Sequence, residues 1–173
     1  MSVIVVGIGD CRVSNNPEDV LVTYALGSCV AVIIHDPTLG LGGLLHFMLP
    51  DSGMDTAKAE RNPYMFADTG VPLLFRSAYQ LGSDKKSLQV TIAGGAQILD
   101  APGTFNIGKR NYLALRKIFW KAGVLVHAEH VGGIVSRTVR LEVKSGKVML
   151  REAGPVEEDL PLAAAGAGTK RGF

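Results

Sequence analysis

Cysteine and aromatic residues are scarce in this sequence. Of its 173 residues, two are cysteines, Cys11 and Cys29, and 6% are aromatic. Two cysteines allow at most one disulfide bond, which excludes a fold held together by a disulfide framework. Because cysteines stay reduced in the cytoplasm, we expect both residues to be free thiols and the protein to be cytoplasmic.

A charge excess and a long apolar run are also absent. The 18 basic and 16 acidic side chains give a net charge of +2, with no basic block that would follow a phosphate backbone. No stretch approaches the roughly 18 consecutive apolar residues of a membrane span, and the first residues lack the basic region of a signal peptide. These absences argue against a nucleic-acid partner and predict no membrane insertion.

Short apolar segments are abundant. Hydrophobic residues make up 47% of the chain, enough for one domain with a large core. Apolar spacing of three and four predicts helices over residues 71–81 and 108–122. β-branched and apolar runs predict strands over residues 2–6, 20–24, 29–34, 44–49, 88–93, 124–129, 138–143 and 148–151.

This order of strands and helices indicates an α+β layered fold, because strands and helices do not alternate regularly as they do in a doubly wound sheet. After residue 153 the composition becomes small and low in complexity, and such a segment buries too little apolar area to offset its ordering entropy. We therefore predict one domain over residues 1–153 and a flexible tail over residues 154–173.

The segment TYALGSCVAVIIHD, residues 23–36, places Cys29 at the start of an apolar run. Directly opposed residues of an antiparallel hairpin have a constant sum of residue numbers. If His35 and Gly40 flank a four-residue loop, that sum is 75 and Cys29 faces His46. Opposed residues share a sheet face with Cβ atoms about 4.5 to 5.5 Å apart. The count therefore predicts that the thiol of Cys29 meets the imidazole of His46.

A cysteine beside a histidine suits acyl transfer, because the imidazole lowers the thiol pKa and carries protons to and from the reacting groups. Gly27 and Ser28, directly before the thiol, allow a sharp turn whose amide N–H groups would face an oxyanion. Thr23, six residues before Cys29, offers an oxygen that would orient the ring of His46. The alternative is that Cys29 is an inert core residue and His46 a satisfied core histidine.

Other tempting patterns predict neither a cofactor nor a metal. The glycines of Gly7-Ile8-Gly9 resemble the start of a dinucleotide-binding motif, but Arg12 occupies the position of its third glycine. His127 and His130 lie on a predicted strand, where residues three apart point to opposite faces.

Six ordered blocks of the sequence resemble the CheD family of chemoreceptor glutamine deamidases. The blocks span about residues 3–152 and read LGSCVAVIIHDP with GLGGLLHFMLP, NPYMFADTGVPLL, IAGGA, NIGKRN, AEHVGG and KSGKVML. The resemblance implies that Cys29 is the nucleophile, His46 the general base and Thr23 the third catalytic residue. It also implies an α/β/β/α sandwich with mixed, largely antiparallel sheets, similar to bacterial toxin domains that deamidate glutamine.

The resemblance implies deamidation of glutamine side chains on methyl-accepting chemotaxis receptors, through a thioester and without a cofactor. Two alternatives remain open at this point: an accompanying glutamyl methylesterase activity, and a regulatory module that binds receptors or the phosphatase CheC. The chain departs from the family pattern at His130, where an acidic residue is usual, and at Ser136-Arg137, where Gly-Arg is common. Neither departure involves Cys29, His46 or Thr23.

Overall fold

The computed structural model describes residues 1–98 and 105–153, together with the backbone of residues 157–160. Its strands are β1 Ser2–Val5, β2 Asp10–Ser14, β3 Asp19–Leu26, β4 Val30–Asp36, β5 Leu41–Phe47, β6 Gln89–Gly94, β7 Ala128–Val131, β8 Arg137–Glu142, β9 Val148–Glu152 and β10 Glu157–Leu160. Its α-helices are α1 Thr56–Arg61, α2 Ala67–Gln80 and α3 Ile107–Ala122. Single 3₁₀ turns occupy Ser52–Met54 and Pro63–Met65.

The strands form two five-stranded sheets. The outer sheet has the order β1-β3-β8-β9-β10, and the central sheet has the order β2-β5-β4-β6-β7. Each sheet contains one parallel pair, β1 with β3 and β6 with β7, and its other pairs are antiparallel. The predicted α+β sandwich with mixed, largely antiparallel sheets is confirmed.

The two sheets pack face to face, and α2 and α3 cover the other side of the central sheet. Buried side chains of β4, β5 and β6 contact α2 and α3 in one apolar cluster, and a second cluster fills the space between the sheets. Within the described residues the layers are therefore α/β/β. The fourth, helical layer of the predicted α/β/β/α order is not found there, since the outward positions Thr138, Arg140 and Glu142 of β8 stay partly exposed.

Both predicted helices are present. α3 ends at Gly123, whose φ of 67° is the left-handed conformation that glycine favours after a helix. α2 begins four residues earlier than predicted, at Ala67, and includes Pro72. None of the described helices combines the length and the apolar character needed to cross a membrane.

The strand β2 and the helix α1 were not predicted, because neither has the buried apolar face that a sequence pattern reveals. β2 is only partly buried along its length, at the edge of the central sheet, and its sequence DCRVS has no apolar run. α1 buries no residue at all and is capped by Asp55, whose side chain accepts a hydrogen bond from the Lys58 amide at 3.0 Å. Hydrophobic periodicity cannot detect such elements.

The C-terminal part of the chain contains one further strand. β10, which lies in the segment predicted as a tail, pairs antiparallel with β9. Residues 154–156 and 161–173 lie outside the described residues, so the division into a domain over residues 1–153 and a tail over residues 154–173 stays a prediction.

The β4–β5 hairpin has a different register from the one predicted. Ala31, not Cys29, lies opposite His46, and the sum of paired residue numbers is 77, as in Asp36 with Leu41. Asp36 remains in the strand because its carboxylate accepts the amides of Thr38 and Leu39, at 2.9 and 3.2 Å. The loop is therefore residues 37–40, which moves both flanking residues by one position.

The observed sum of paired residue numbers differs from the predicted sum by two, and a shift of two residues leaves Cys29 on the predicted face of the sheet. Cys29 lies two residues before Ala31, so the two side chains point to the same side of the central sheet, and both belong to the cluster between the sheets. Cys29 is thus a diagonal neighbour of His46. Such neighbours lie about 7 to 8 Å apart, which long side chains can bridge.

Candidate active site

Thr23 and His46 meet between the two sheets. Thr23 lies on β3 of the outer sheet and His46 on β5 of the central sheet, and both side chains are buried. The Oγ1 of Thr23 is 2.8 Å from the Nδ1 of His46. The structure therefore brings together two of the three predicted residues, from strands that belong to different sheets.

A third group decides the direction of this hydrogen bond. The Thr23 hydroxyl donates its single proton to the carbonyl of Val6 at 2.6 Å. It therefore accepts from His46, and Nδ1 must carry the proton. The lone pair of the neutral ring is then on Nε2, which is the form required of a general base.

The Nε2 atom of His46 is buried and has no hydrogen-bond partner within the described part of the chain. The side chain is 1% exposed, and burial lowers the pKa of His46 to about 4. The ring is consequently neutral at physiological pH. An unpaired acceptor in such a place costs free energy, which is more often tolerated at a functional site than in an ordinary core.

Cys29 lies directly before β4, at the edge of the layer between the sheets. The residue is 8% exposed, so it is buried but not completely closed off from solvent. Its carbonyl accepts the Gly95 amide at 2.8 Å. Gly94 adopts a φ of 108°, and a Cβ there would collide with the Cys29 carbonyl. The backbones of Gly94, which ends β6, and Gly95 thus approach Cys29 closely and fix its backbone.

The Cys29 thiol is neutral in the resting protein. Burial raises its pKa to about 11, and its own backbone amide opposes the shift only in part. The expectation that the imidazole lowers the thiol pKa is therefore wrong for this resting structure. A neutral thiol and a neutral imidazole are the favoured pair, because neither charged form is solvated here.

The backbone before Cys29 is irregular. The pairing of β3 with β8 shifts between Thr23 and Leu26, and Ala25 has a φ of 54°, a left-handed conformation unusual for a residue with a side chain. The Gly27 amide donates to the Ala25 carbonyl at 2.9 Å. Of the two predicted oxyanion residues, Gly27 therefore uses its N–H within the turn, whereas the Ser28 amide makes no hydrogen bond to the described residues.

Sequence reasoning missed the role of Asn111. This α3 residue is 0% exposed, and its side-chain Nδ2 donates to the carbonyls of Ser28 and Met48 at 2.9 and 2.8 Å. It occupies a buried position of the helix, between Ile107 and Leu115 in the apolar spacing. A polar residue at an apolar position of a helix is the signal that identifies it.

The described residues contain no group of three or more His, Cys, Asp or Glu side chains that could hold a metal ion. His127 accepts the Val90 amide through Nδ1 at 3.0 Å. His130 accepts Arg137 Nε at 2.8 Å, and Arg137 is itself buried. The departure from the family pattern at His130 thus lies in a packed hydrogen-bond network beside β7.

The neutral state of His46 predicts a loss of stability in acid. Its pKa falls from 6.5 to about 4 on folding, so between these values the unfolded chain binds the proton and the folded chain does not. The free energy of unfolding is therefore at its full value above pH 6.5. It decreases by about 3 kcal/mol as the pH falls toward 4.

Urea unfolding at neutral pH and near pH 4 measures this loss. His35, whose pKa burial also lowers, acts in the same direction, so the comparison is between the wild type and His46→Gln. The variant should lose less stability between the two pH values. Equal losses in both proteins would contradict a buried neutral His46.

The two-sheet α+β fold, with the Thr23–His46 pair and Cys29 on one face of the central sheet, fits a thiol-dependent hydrolase. The CheD family model, described as CheD chemotactic sensory transduction, matches residues 48–152. The chain is 55% identical to a probable chemoreceptor glutamine deamidase CheD 1 of Syntrophus aciditrophicus, over 91% of this chain and 99% of the relative. It is 40% identical to the chemoreceptor glutamine deamidase CheD of Thermotoga maritima, over 89% and 94%. The chain belongs to the CheD family.

Proposed function

We propose that this protein hydrolyses glutamine side chains of chemoreceptors to glutamate, with Cys29 as nucleophile, His46 as acid and base, and Thr23 as the residue that orients His46. The names of the relatives support the substrate. The observation that carries the proposal is the hydrogen-bond chain from His46 through Thr23 to the Val6 carbonyl, because it leaves Nε2 unprotonated and unpaired.

In the first half-reaction, the Cys29 thiol gives its proton to His46 Nε2 as the sulfur bonds to the carboxamide carbon. The carbonyl oxygen becomes an oxyanion. His46 then gives the proton to the carboxamide nitrogen, the C–N bond breaks, and ammonia leaves. The product at this stage is a thioester between Cys29 and the receptor side chain.

In the second half-reaction, water gives a proton to His46 Nε2 and its oxygen attacks the thioester carbon. The C–S bond breaks, and the sulfur takes the proton back from the imidazole. The receptor side chain leaves as a carboxylic acid, which releases its proton to solvent and becomes glutamate. Since Nε2 receives and returns one proton in each half, Thr23 must hold the same ring orientation throughout.

The neutral resting pair fits this sequence of steps. Substrate binding displaces water from the site, and proton transfer to His46 accompanies the attack instead of preceding it. The amides of Ser28 and Cys29 are the proposed donors to the oxyanion, because Gly27 already donates to Ala25. A cytoplasmic location stays a prediction from the sequence composition, and a CheC partner stays a prediction from the family resemblance.

Incubation with a receptor cytoplasmic fragment tests the function. We expect ammonia to be released as fast as specific glutamines are converted to glutamates. Mass spectrometry measures the conversion. A parallel fragment carrying glutamyl methyl esters separates the esterase alternative, since an esterase releases methanol. Absence of ammonia with every receptor fragment of the source organism would refute the proposal.

A further inference from the structure

Asn111 joins the segment of the nucleophile to the segment of the base. Ser28 directly precedes Cys29, and Met48 lies two residues after His46. One side-chain amide group donates to both carbonyls, at 2.9 and 2.8 Å. The contacts span 83 and 63 residues of sequence, so this single group ties together two chain segments from a third element, α3.

The position of Asn111 is itself fixed by close packing of α3. A Cβ on Gly108, in the first helical turn, would lie 2.7 Å from the Gly95 carbonyl oxygen, so backbone meets backbone there. Residues 95 and 96 in turn donate to the carbonyls of Cys29 and Gly27, both at 2.8 Å. The start of α3 therefore rests on the loop that holds the nucleophile backbone.

Within the part of the chain that the structure describes, Asn111 combines two donated hydrogen bonds with one unpaired acceptor. The Oδ1 atom of Asn111 is buried without a hydrogen-bond partner among the residues described. A core position selected for stability alone favours an apolar side chain, since an unpaired buried acceptor is unfavourable. The two donated hydrogen bonds are what an apolar side chain cannot supply.

We propose that Asn111 is a positioning residue that sets the distance and orientation between the Cys29 sulfur and His46 Nε2. This inference rests on the proposed function of those two groups. Its physical basis is that proton transfer from thiol to imidazole requires hydrogen-bond geometry, and a displacement of about 1 Å costs on the order of 10²-fold in rate. Each of the two segments would shift independently without the shared donor.

Asn111→Leu and Asn111→Asp test the proposal. Both keep the branching of the asparagine side chain at Cγ, and neither donates two hydrogen bonds. For both we expect kcat to fall about 10²-fold at neutral pH with little change in KM, because substrate contacts are not removed. Asn111→Asp should regain activity relative to wild type near about pH 5, where a buried carboxyl is protonated and donates again. Asn111→Leu should show no such recovery.

A matched control is Tyr112→Phe, on the same helix. It removes the hydrogen bonds to Glu129 of β7, at 2.8 and 2.9 Å, and leaves the asparagine side chain of residue 111 in place. We expect its kcat to stay within a factor of about 2 of wild type. Urea unfolding of all variants identifies any that fold poorly, and Asn111→Leu should be at least as stable as Asn111→Asp at neutral pH.

Thiol chemistry separates this inference from the receptor reaction. In a Cys11→Ser background, iodoacetamide modifies Cys29 alone and presents a carboxamide to the site. His46→Ala and Asn111→Leu should each slow this alkylation, and the double variant should be no slower than His46→Ala, because the two residues act through one geometry. Additive effects, or an unchanged kcat in both Asn111 variants, would overturn the inference. If the His46 and Asn111 substitutions have non-additive effects on alkylation but the protein deamidates no receptor, only the proposed function is refuted.

Discussion

Cys29→Ala should abolish ammonia release from receptor fragments, with a loss of about 10⁴-fold or more in kcat, because the second thiol, Cys11, lies on the other side of the central sheet from His46. Cys29 is 8% exposed and packs in the cluster between the sheets. Removing its sulfur deletes one small buried atom, so the fold should remain and unfolding should change by only about 1 kcal/mol. Initial rates of ammonia release and urea unfolding of the same preparation measure both effects.

Cys11→Ala is the matched control for this prediction. Cys11 is the second thiol of the chain, and burial raises its pKa even further, to about 12. It lies on β2 opposite Leu45, on a different side of the central sheet from the site, where it packs against the cluster beneath the helices. The Cys11→Ala protein should keep its activity. Substantial deamidation by Cys29→Ala would exclude Cys29 as nucleophile and return it to the inert core.

The pattern of apolar residues predicted those elements whose stability depends on burial. α3 and β6 were predicted to within one residue, since their apolar faces are continuous. β7 begins at Ala128, four residues later than predicted, because Val124 to His127 form the connection after Gly123 despite their strand-like composition. Local β propensity does not fix where a parallel strand begins to pair, since that depends on the neighbouring strand.

The candidate site shows the same limit at the level of side chains. A hairpin count placed Cys29 and His46 on one face, and the observed register preserves the face although it moves the pairing by two. The Asx turn at Asp36 and the positive φ of Gly40 belong to this loop, so the register depends on local turn geometry that the count assumed and did not derive. The contact of Thr23 with His46 joins two sheets, so no count along a hairpin could derive it.

The charge state of the thiol required the structure as well. Sequence spacing suggests that a neighbouring imidazole stabilises a thiolate, which is correct where the pair is solvated. Here both groups lie between two apolar sheets, and desolvation dominates the pKa of each. A sequence motif does not show how deeply a residue is buried. Burial raises the pKa of the Cys29 thiol, whereas the motif predicted that it would be lowered.

His46→Gln should lower kcat by about 10³-fold or more, because one imidazole nitrogen transfers the proton in both half-reactions and glutamine transfers none. Its effect should exceed that of Thr23→Val, which keeps the shape of threonine and removes only the hydroxyl that fixes the Nδ1–H form. Thr23→Ser, which retains a hydroxyl within reach of the Val6 carbonyl, should recover most of the activity.

The pH dependence distinguishes the two residues. In wild type, activity should fall only as pH approaches about 4, where His46 becomes protonated and can no longer accept the thiol proton. Initial rates from about pH 4 to pH 9 measure this limb. Thr23→Val should lower the plateau at every pH, because loss of the hydroxyl lets the ring place its proton on Nε2 and misorients the remaining population. A Thr23→Val protein as active as wild type would show that the contact between the sheets holds the fold and does not prepare the base.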